Sequence, residues 1–183
     1  MTALADVVVK VGGSLARAPG LAARLAPLAD LRRRGRTVVV PGGGPFRDVV
    51  RELWDRHGLD ESTAHWMGVL AMNQYAHLLA CLLPDAELVR DPSHLAAALR
   101  RGRLPVLAPY RWLRAEDPLP HEWSVTSDSI AAWFAGRLGA RKLVVVKSAV
   151  ERAGVDPYFS RALPPGVEVE IVAAEGGGWR PVR

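Results

Sequence analysis

A three-layer α/β/α sandwich with a mainly parallel central sheet is the fold class that three features of the sequence predict. The first is a pair of short β-branched runs that each stop at glycines. The second is the regular alternation of such runs with helically spaced apolar residues. The third is a hydrophobic content of 49% over 183 residues with no linker-like stretch, which points to one domain over residues 1–183. The two runs are Asp6-Val7-Val8-Val9-Lys10-Val11-Gly12-Gly13-Ser14 and Thr37-Val38-Val39-Val40-Pro41-Gly42-Gly43-Gly44. Strands of this make-up suit burial on both faces, and the glycines can bring bare backbone N–H groups against an anion. Two such units side by side suit two phosphate-bearing ligands, as phosphoryl transfer requires.

Val7 to Val11 forms the first strand. Leu21 to Arg34 has helical spacing in Leu21, Leu25, Leu28 and Leu31, with Gly35 as a stop and Pro27 as a kink or a delayed start. Val38 to Val40 is the second strand, and Pro45 after the triple glycine suits the first turn of a helix that ends near Gly58. That helix carries Phe46, Val49, Val50, Leu53 and Trp54 on one side. A third helix runs from about Ser62 to Leu83, with Trp66, Leu70, Asn73, His77 and Ala80 in near-helical register. A strand at Glu87 to Arg90, a helix at Ser93 to Arg101 and a strand at Leu104 to Ala108 follow.

Pro109 to Trp123, with three prolines, two tryptophans and no periodicity, reads as an ordered loop and a candidate substrate lid. Ser127 to Leu138 is a helix, Lys142 to Val146 and Val167 to Val172 are strands, and Gly176 to Arg183 reads as frayed.

Cys81 is the single cysteine, which excludes an internal disulfide, and its apolar helical setting predicts a small buried thiol. A reducing cytoplasm fits, and neither a membrane span nor an export signal is evident. The net charge of +5 comes mostly from scattered arginines. Several lie near helix ends, where they complement the C-terminal dipole, so no nucleic-acid partner is expected. Such a balance favours small polyanions.

Lys10 lies one residue inside the end of its strand, before Gly12, Gly13 and Ser14, so a cation and several backbone donors converge where a phosphate could lie. Neither a P-loop nor a Gly-x-Gly-x-x-Gly fingerprint is present. His65 and His77 are twelve residues apart with no third ligand at a metal spacing, and His121-Glu122-Trp123 has no evident partners, so no protein-held metal is expected. Trp112 and Trp123 suit either a flat acceptor ring or a lid burying apolar surface.

Four ordered segments resemble the amino acid kinase family: Val9-Lys10-Val11-Gly12-Gly13-Ser14, Gly42-Gly43-Gly44-Pro45-Phe46-Arg47, Met67-Gly68-Val69-Leu70-Ala71-Met72-Asn73 and Thr126-Ser127-Asp128-Ser129-Ile130-Ala131-Ala132. The segment from Leu119 to Ala131 is similar to that of the small kinases of methanofuran biosynthesis, which convert an aminomethyl-furanmethanol phosphate to its diphosphate. The resemblance implies ATP and Mg²⁺, with the metal held mainly by the nucleotide. It implies Lys10, Asp128 and Lys147 as catalytic residues, and Gly12, Gly13 and Ser14 on the nucleotide side. Gly42, Gly43, Gly44, Arg47 and Asn73 would then meet a small phosphorylated acceptor.

Alternatives stay open from the residues themselves. Asp128 could be a helix cap, Arg47 and Lys147 solvated cations, and Asn73 a satisfied core amide. A homo-oligomer is also open, since such kinases are commonly dimeric and the Trp66 helix suits either a contact face or the core. The run Lys147 to Tyr158 departs from the family's Val-Asp-Gly-Val-Tyr-like turn, and an abbreviated adenine side is expected after it. A catalytically reduced binding or regulatory subunit is therefore the alternative to a small-molecule kinase.

Overall fold

The computed structural model describes residues 3–152, 154–175 and 178–182. Strand β1 (Val7–Val11) leads through a 3-10 turn (Gly13–Arg17) into helices α1 (Leu21–Arg24) and α2 (Leu28–Arg34). The predicted single helix is thus two, because Pro27 takes the position before the first turn of α2 and cannot donate a backbone bond to continue α1. Strand β2 (Thr37–Pro41) is followed by α3 (Gly44–His57), with Pro45 in its first turn and Gly58 closing it in the left-handed conformation. Helix α4 (Glu61–Leu82) begins where the Asp60 carboxylate accepts from the Thr63 amide at 2.8 Å.

Next come β3 (Ala86–Val89), α5 (Pro92–Arg100), β4 (Leu104–Leu107), α6 (Tyr110–Glu116), α7 (Ser127–Arg137), β5 (Lys142–Lys147), a 3-10 turn (Val150–Arg152), α8 (Phe159–Ala162), β6 (Glu168–Glu175) and β7 (Gly178–Pro181).

The seven strands form one sheet in the order β3-β4-β2-β1-β5-β6-β7, parallel except for β7 on β6. Strand β1 pairs with β2 on one side and β5 on the other, so Val9 sits opposite both Val39 and Val144. Strand order therefore reverses beside β1, and in open parallel sheets ligands bind at the C-terminal ends of strands at such a point.

Each face of the sheet carries its own apolar core. Val8, Val38, Val40 and Val145 pack with Ile130, Ala131 and Phe134 of α7, whereas Val9, Val11, Val39, Val144 and Val146 pack with Leu15, Leu25, Leu28 and with Tyr75 and Leu79 of α4.

Five expectations are corrected. The stretch Pro109 to Trp123 holds helix α6 rather than only loop, because Trp112 and Leu113 are buried and Trp112 Nε1 donates to Glu116 at 2.8 Å one turn on. Cys81 is exposed, since α4 turns Ala76 and Leu79 inward there instead. On α4 the predicted register is displaced: Leu70 and His77 face outward, while Val69, Met72, Tyr75 and Ala76 are buried. On α3 only Val50 of the proposed apolar side is fully buried, and Val49 is exposed. The segment read as frayed contains β7, held by register with β6 and by Trp179 Nε1 donating to Arg24 O at 2.8 Å; Gly176, Gly177 and Arg183 of that stretch lie outside the described residues.

Gly58 has φ +60° with open space where a Cβ would stand, so Gly58→Ala should cost only the left-handed backbone penalty, about 1 kcal/mol. A urea midpoint lowered at unchanged m-value is the expected result, and no change would show that the turn adapts freely.

Candidate active site

Strand alternation sets the first side chains. Lys10 has the parity of Val8 on β1, and Lys147 has the parity of Val145 on β5, so both point to the face that α7 covers. Asp128, in the first turn of α7, lies between them: Lys10 Nζ is 2.7 Å from Oδ1 and Lys147 Nζ donates to Oδ2 at 2.9 Å. Each carboxylate oxygen thus faces one ammonium group. All three side chains are at least nine-tenths buried.

Burial pushes the Asp128 carboxyl up, but the ammonium groups of Lys10 and Lys147 more than reverse this and hold it below the ordinary carboxylate value. Burial, with the Lys10 charge beside it, pushes the Lys147 ammonium below the ordinary lysine value. Thr126 performs the capping at this helix, its Oγ1 accepting from the Asp128 amide at 3.3 Å, so the Asp128 carboxylate is left for the lysines.

The loops after β1 and β2 interlock. A Cβ on Gly13 would stand 2.6 Å from Gly44 N, and one on Gly42 would stand 2.6 Å from Gly13 N, so only glycines allow this approach. Gly12 N donates to Val146 O and Gly42 N to Val11 O, both at 2.8 Å, which extends the sheet. Anion donors are therefore left to the later residues of each loop, Gly13 and Ser14 on one side and Gly43 and Gly44 on the other. The positive end of α3 opens at Gly44 with no acidic residue in its first turn.

These groups line one cleft of about 610 Å³, which takes in Lys10, Gly12, Gly13, Ser14, Gly43, Gly44, Arg47, Asp128, Lys147 and Ser148. Beside it lies a small chamber of about 20 Å³, room for little more than a water molecule, walled by His65, Val69, Met72, Trp123, Val125 and Ile130. Gly43, Arg47, Thr126 and Ser127 line both spaces. Arg47 stacks over Trp123 at 4.6 Å from the ring centroid, and among the described residues no carboxylate lies within ion-pair distance of it. Burial and then the neighbouring Arg51 charge push its guanidinium below the ordinary arginine value.

The sequence model of the amino acid kinase family matches residues 7–150. The chain belongs to the amino acid kinase family. It is 26% identical over 170 residues to the (5-(aminomethyl)furan-3-yl)methyl phosphate kinase of Methanocaldococcus jannaschii, covering 91% of this chain and 74% of that protein. Among solved structures it is similar in fold to the UMP kinase of Ureaplasma parvum, with a TM-score of 0.64 at 16% identity, covering 91% of this chain and 88% of that one. The uridylate kinase of Archaeoglobus fulgidus gives a TM-score of 0.58 at 20% identity, covering 79% of this chain, and this chain spans 63% of its length. The α/β/α fold is thus that of amino acid kinases, and the family match together with the kinase-named relatives supports a small-molecule phosphotransferase.

Within this amino acid kinase, two residues read from the sequence as acceptor contacts are off the cleft lining. Gly42 is buried behind it as a spacer, and Asn73 Oδ1 accepts from the Tyr110 amide at 3.0 Å, tying α4 to α6. His121 does have partners: Nδ1 meets Ser62 Oγ and Nε2 meets Asp117 Oδ1, both at 2.8 Å, and its ring stacks on His65. Trp112 is buried against Phe134, away from both spaces, whereas Trp123 stacks on Trp54 and lines the chamber. Sequence reading missed Ser148, whose hydroxyl bonds that of Ser14 at 2.8 Å across the cleft, and Asp156, which binds the start of α7. Neither carries a local signal, since their partners are 134 and 30 residues away.

The depressed Asp128 value makes a stability prediction. Its contribution is present above the unfolded carboxylate value of 3.8 and is lost as pH falls through the lower folded value. Urea midpoints measured from pH 6 downward should therefore fall more steeply below pH 4 for the native chain than for Asp128→Asn; parallel curves would contradict the pairing. Gly13→Ala should force the two loops apart and lower the urea midpoint by more than Gly58→Ala does, whereas a smaller or absent shift would show that the interlock is dispensable.

Proposed function

We propose that this kinase transfers the terminal phosphoryl group of ATP to the phosphate of a small flat acceptor. The preferred acceptor is (5-(aminomethyl)furan-3-yl)methyl phosphate, taken from the relative's name, with its diphosphate and ADP as products. The observation that carries this reading is Arg47. A guanidinium with no carboxylate among the described residues within ion-pair distance, stacked on Trp123 at the edge of the cleft, suits an acceptor phosphate there with the rest of a small acceptor in the cleft.

An acceptor phosphate oxygen, already anionic near neutral pH, attacks the terminal phosphorus as the bond to the ADP oxygen breaks, so no general base is needed. Lys10 and Lys147 offset the charge on the migrating group, Asp128 holds both ammonium groups in place, and the Gly13 and Gly44 loops align donor and acceptor. Among the described residues no cluster of three potential metal ligands exists, and Asp128 is already occupied by two lysines, so the site fits Mg²⁺ carried on the nucleotide's own phosphates. Bound there, the ion neutralises phosphate charge. The use of ATP suits a cytoplasmic setting. We also read residues 1–183 as one kinase unit.

ADP release on mixing the protein with ATP, Mg²⁺ and the furan phosphate tests this reading. The native chain should turn over, and Lys10→Ala should be slower by roughly two to three orders of magnitude. Arg47→Ala should raise the KM for the acceptor at least tenfold while the KM for ATP changes less than twofold. Binding of the acceptor without ADP release would favour a non-catalytic binding subunit, and turnover of UMP with none of the furan phosphate would replace the acceptor. The depressed Lys147 value adds a pH expectation: kcat should fall on the alkaline side below 10.5, the ordinary lysine value, as the ammonium loses its proton, and Lys147→Arg should flatten that limb. An unmoved limb would remove Lys147 from the charge balance.

A further inference from the structure

Asp156 lies in the segment between β5 and α8, and its carboxylate is almost wholly spent on the first turn of α7. Oδ2 accepts from Thr126 N at 3.1 Å, from Thr126 Oγ1 at 2.6 Å and from Ser129 N at 3.0 Å. Oδ1 accepts from Ser129 Oγ and from Tyr158 N, the latter at 3.1 Å. Four of these five donors belong to the two residues that flank Ser127 and Asp128. A carboxylate also complements the positive end of α7, where the backbone amides lack intrahelical acceptors.

The same segment is gripped from the other side. Lys147 Nζ, besides its bond to Asp128, donates to Gly154 O at 2.8 Å, two residues before Asp156. The contacts form a closed circuit from Asp128 to Lys147, to the backbone at Gly154, along the chain to Asp156, and back to Ser129 beside Asp128. The Lys147 ammonium and the Asp156 carboxylate, gripping this segment at its two ends, thus fix the Asp128 carboxylate from two directions.

We propose that Asp156 is a positioning residue of the phosphoryl-transfer site, binding the first turn of α7 so that Asp128 stays between Lys10 and Lys147 and the Thr126–Ser127 backbone stays at the junction of cleft and chamber. The proposal rests on the kinase reading above for its effect on turnover, but not for its effect on α7. Removing the carboxylate leaves two backbone donors and two hydroxyls at the start of α7 without their acceptor, while leaving the nucleotide cradle of Gly13 and Ser14 untouched. Asp156 acts through Asp128 and need not touch either reactant.

Asp156→Asn keeps the size and one carbonyl acceptor but places an NH₂ group against donors, and Asp156→Ala removes both. The full chain of each variant is compared with the native one in ADP release from ATP with the furan phosphate, in thermal unfolding and in amide hydrogen exchange. Asp156→Asn should lower kcat at least tenfold with both KM values within twofold of native and unfolding lowered by only a few degrees. Asp156→Ala should lower kcat further. Amides 126–131 should exchange faster in both variants, with β1 and β5 unchanged. A native-like kcat in Asp156→Asn, or KM values that rise with the loss of kcat, would overturn the proposal. If the native chain releases no ADP with this acceptor, the acceptor assignment fails, and hydrogen exchange still decides the positioning claim: faster exchange confined to 126–131 upholds it, and unaltered exchange there overturns it.

Discussion

One carboxylate held between two buried ammonium groups sets the terms for the C-terminal edge of this sheet. Three charges of this kind cannot leave water without mutual compensation, because each alone would shift its proton equilibrium until it became neutral. Asp128 balances Lys10 and Lys147 only in part, and the surplus is positive. With no carboxylate among the described residues within ion-pair distance of Arg47, and the positive end of α3 opening on the same cleft, the site favours polyanions. A buried ion cluster of this type adds little net stability compared with apolar packing, so its value lies in the charge it holds ready.

The rest of the architecture serves that placement. Side-chain alternation on β1 and β5 sends both lysines to the same face, and the crossover helix α7 delivers Asp128 to them from above. Glycine is required where the loops after β1 and β2 touch backbone to backbone, which puts the donors of the two loops within one cleft rather than on separate surfaces. The separate apolar cores on the two faces both reach this edge, so the charged groups stand on a rigid floor of valines.

Much of this was legible in the sequence because it is written locally. β-branched runs closed by glycines fix β1 and β2 to within a residue at each end, and Pro45 and Gly58 mark the two ends of α3. Lys10, Gly13, Gly44, Arg47, Asp128 and Lys147 meet in one cleft as their motifs suggest. Long-range partners were illegible. Helix α6 is only seven residues long and owes its stability to burial of Trp112 and Leu113 rather than to a periodic pattern, and β7 exists because β6 offers it an edge. Asn73 resembles an acceptor contact in sequence yet bonds the Tyr110 amide, and Asp156 has no motif because its donors come from α7. Exposure of Cys81 follows from which side of α4 faces the sheet, and an apolar helix with weak periodicity does not declare that side.

A crystal structure of the chain with a non-hydrolysable ATP analogue and Mg²⁺ tests the central claim most directly. The terminal phosphate should lie between the Gly13 and Gly44 amides, with Lys10 and Lys147 both within salt-bridge distance of its oxygens and Asp128 still bridging them. A nucleotide bound with its phosphates outside that cleft, or Lys10 and Lys147 remaining on Asp128 alone with the phosphate beyond their reach, would contradict the account.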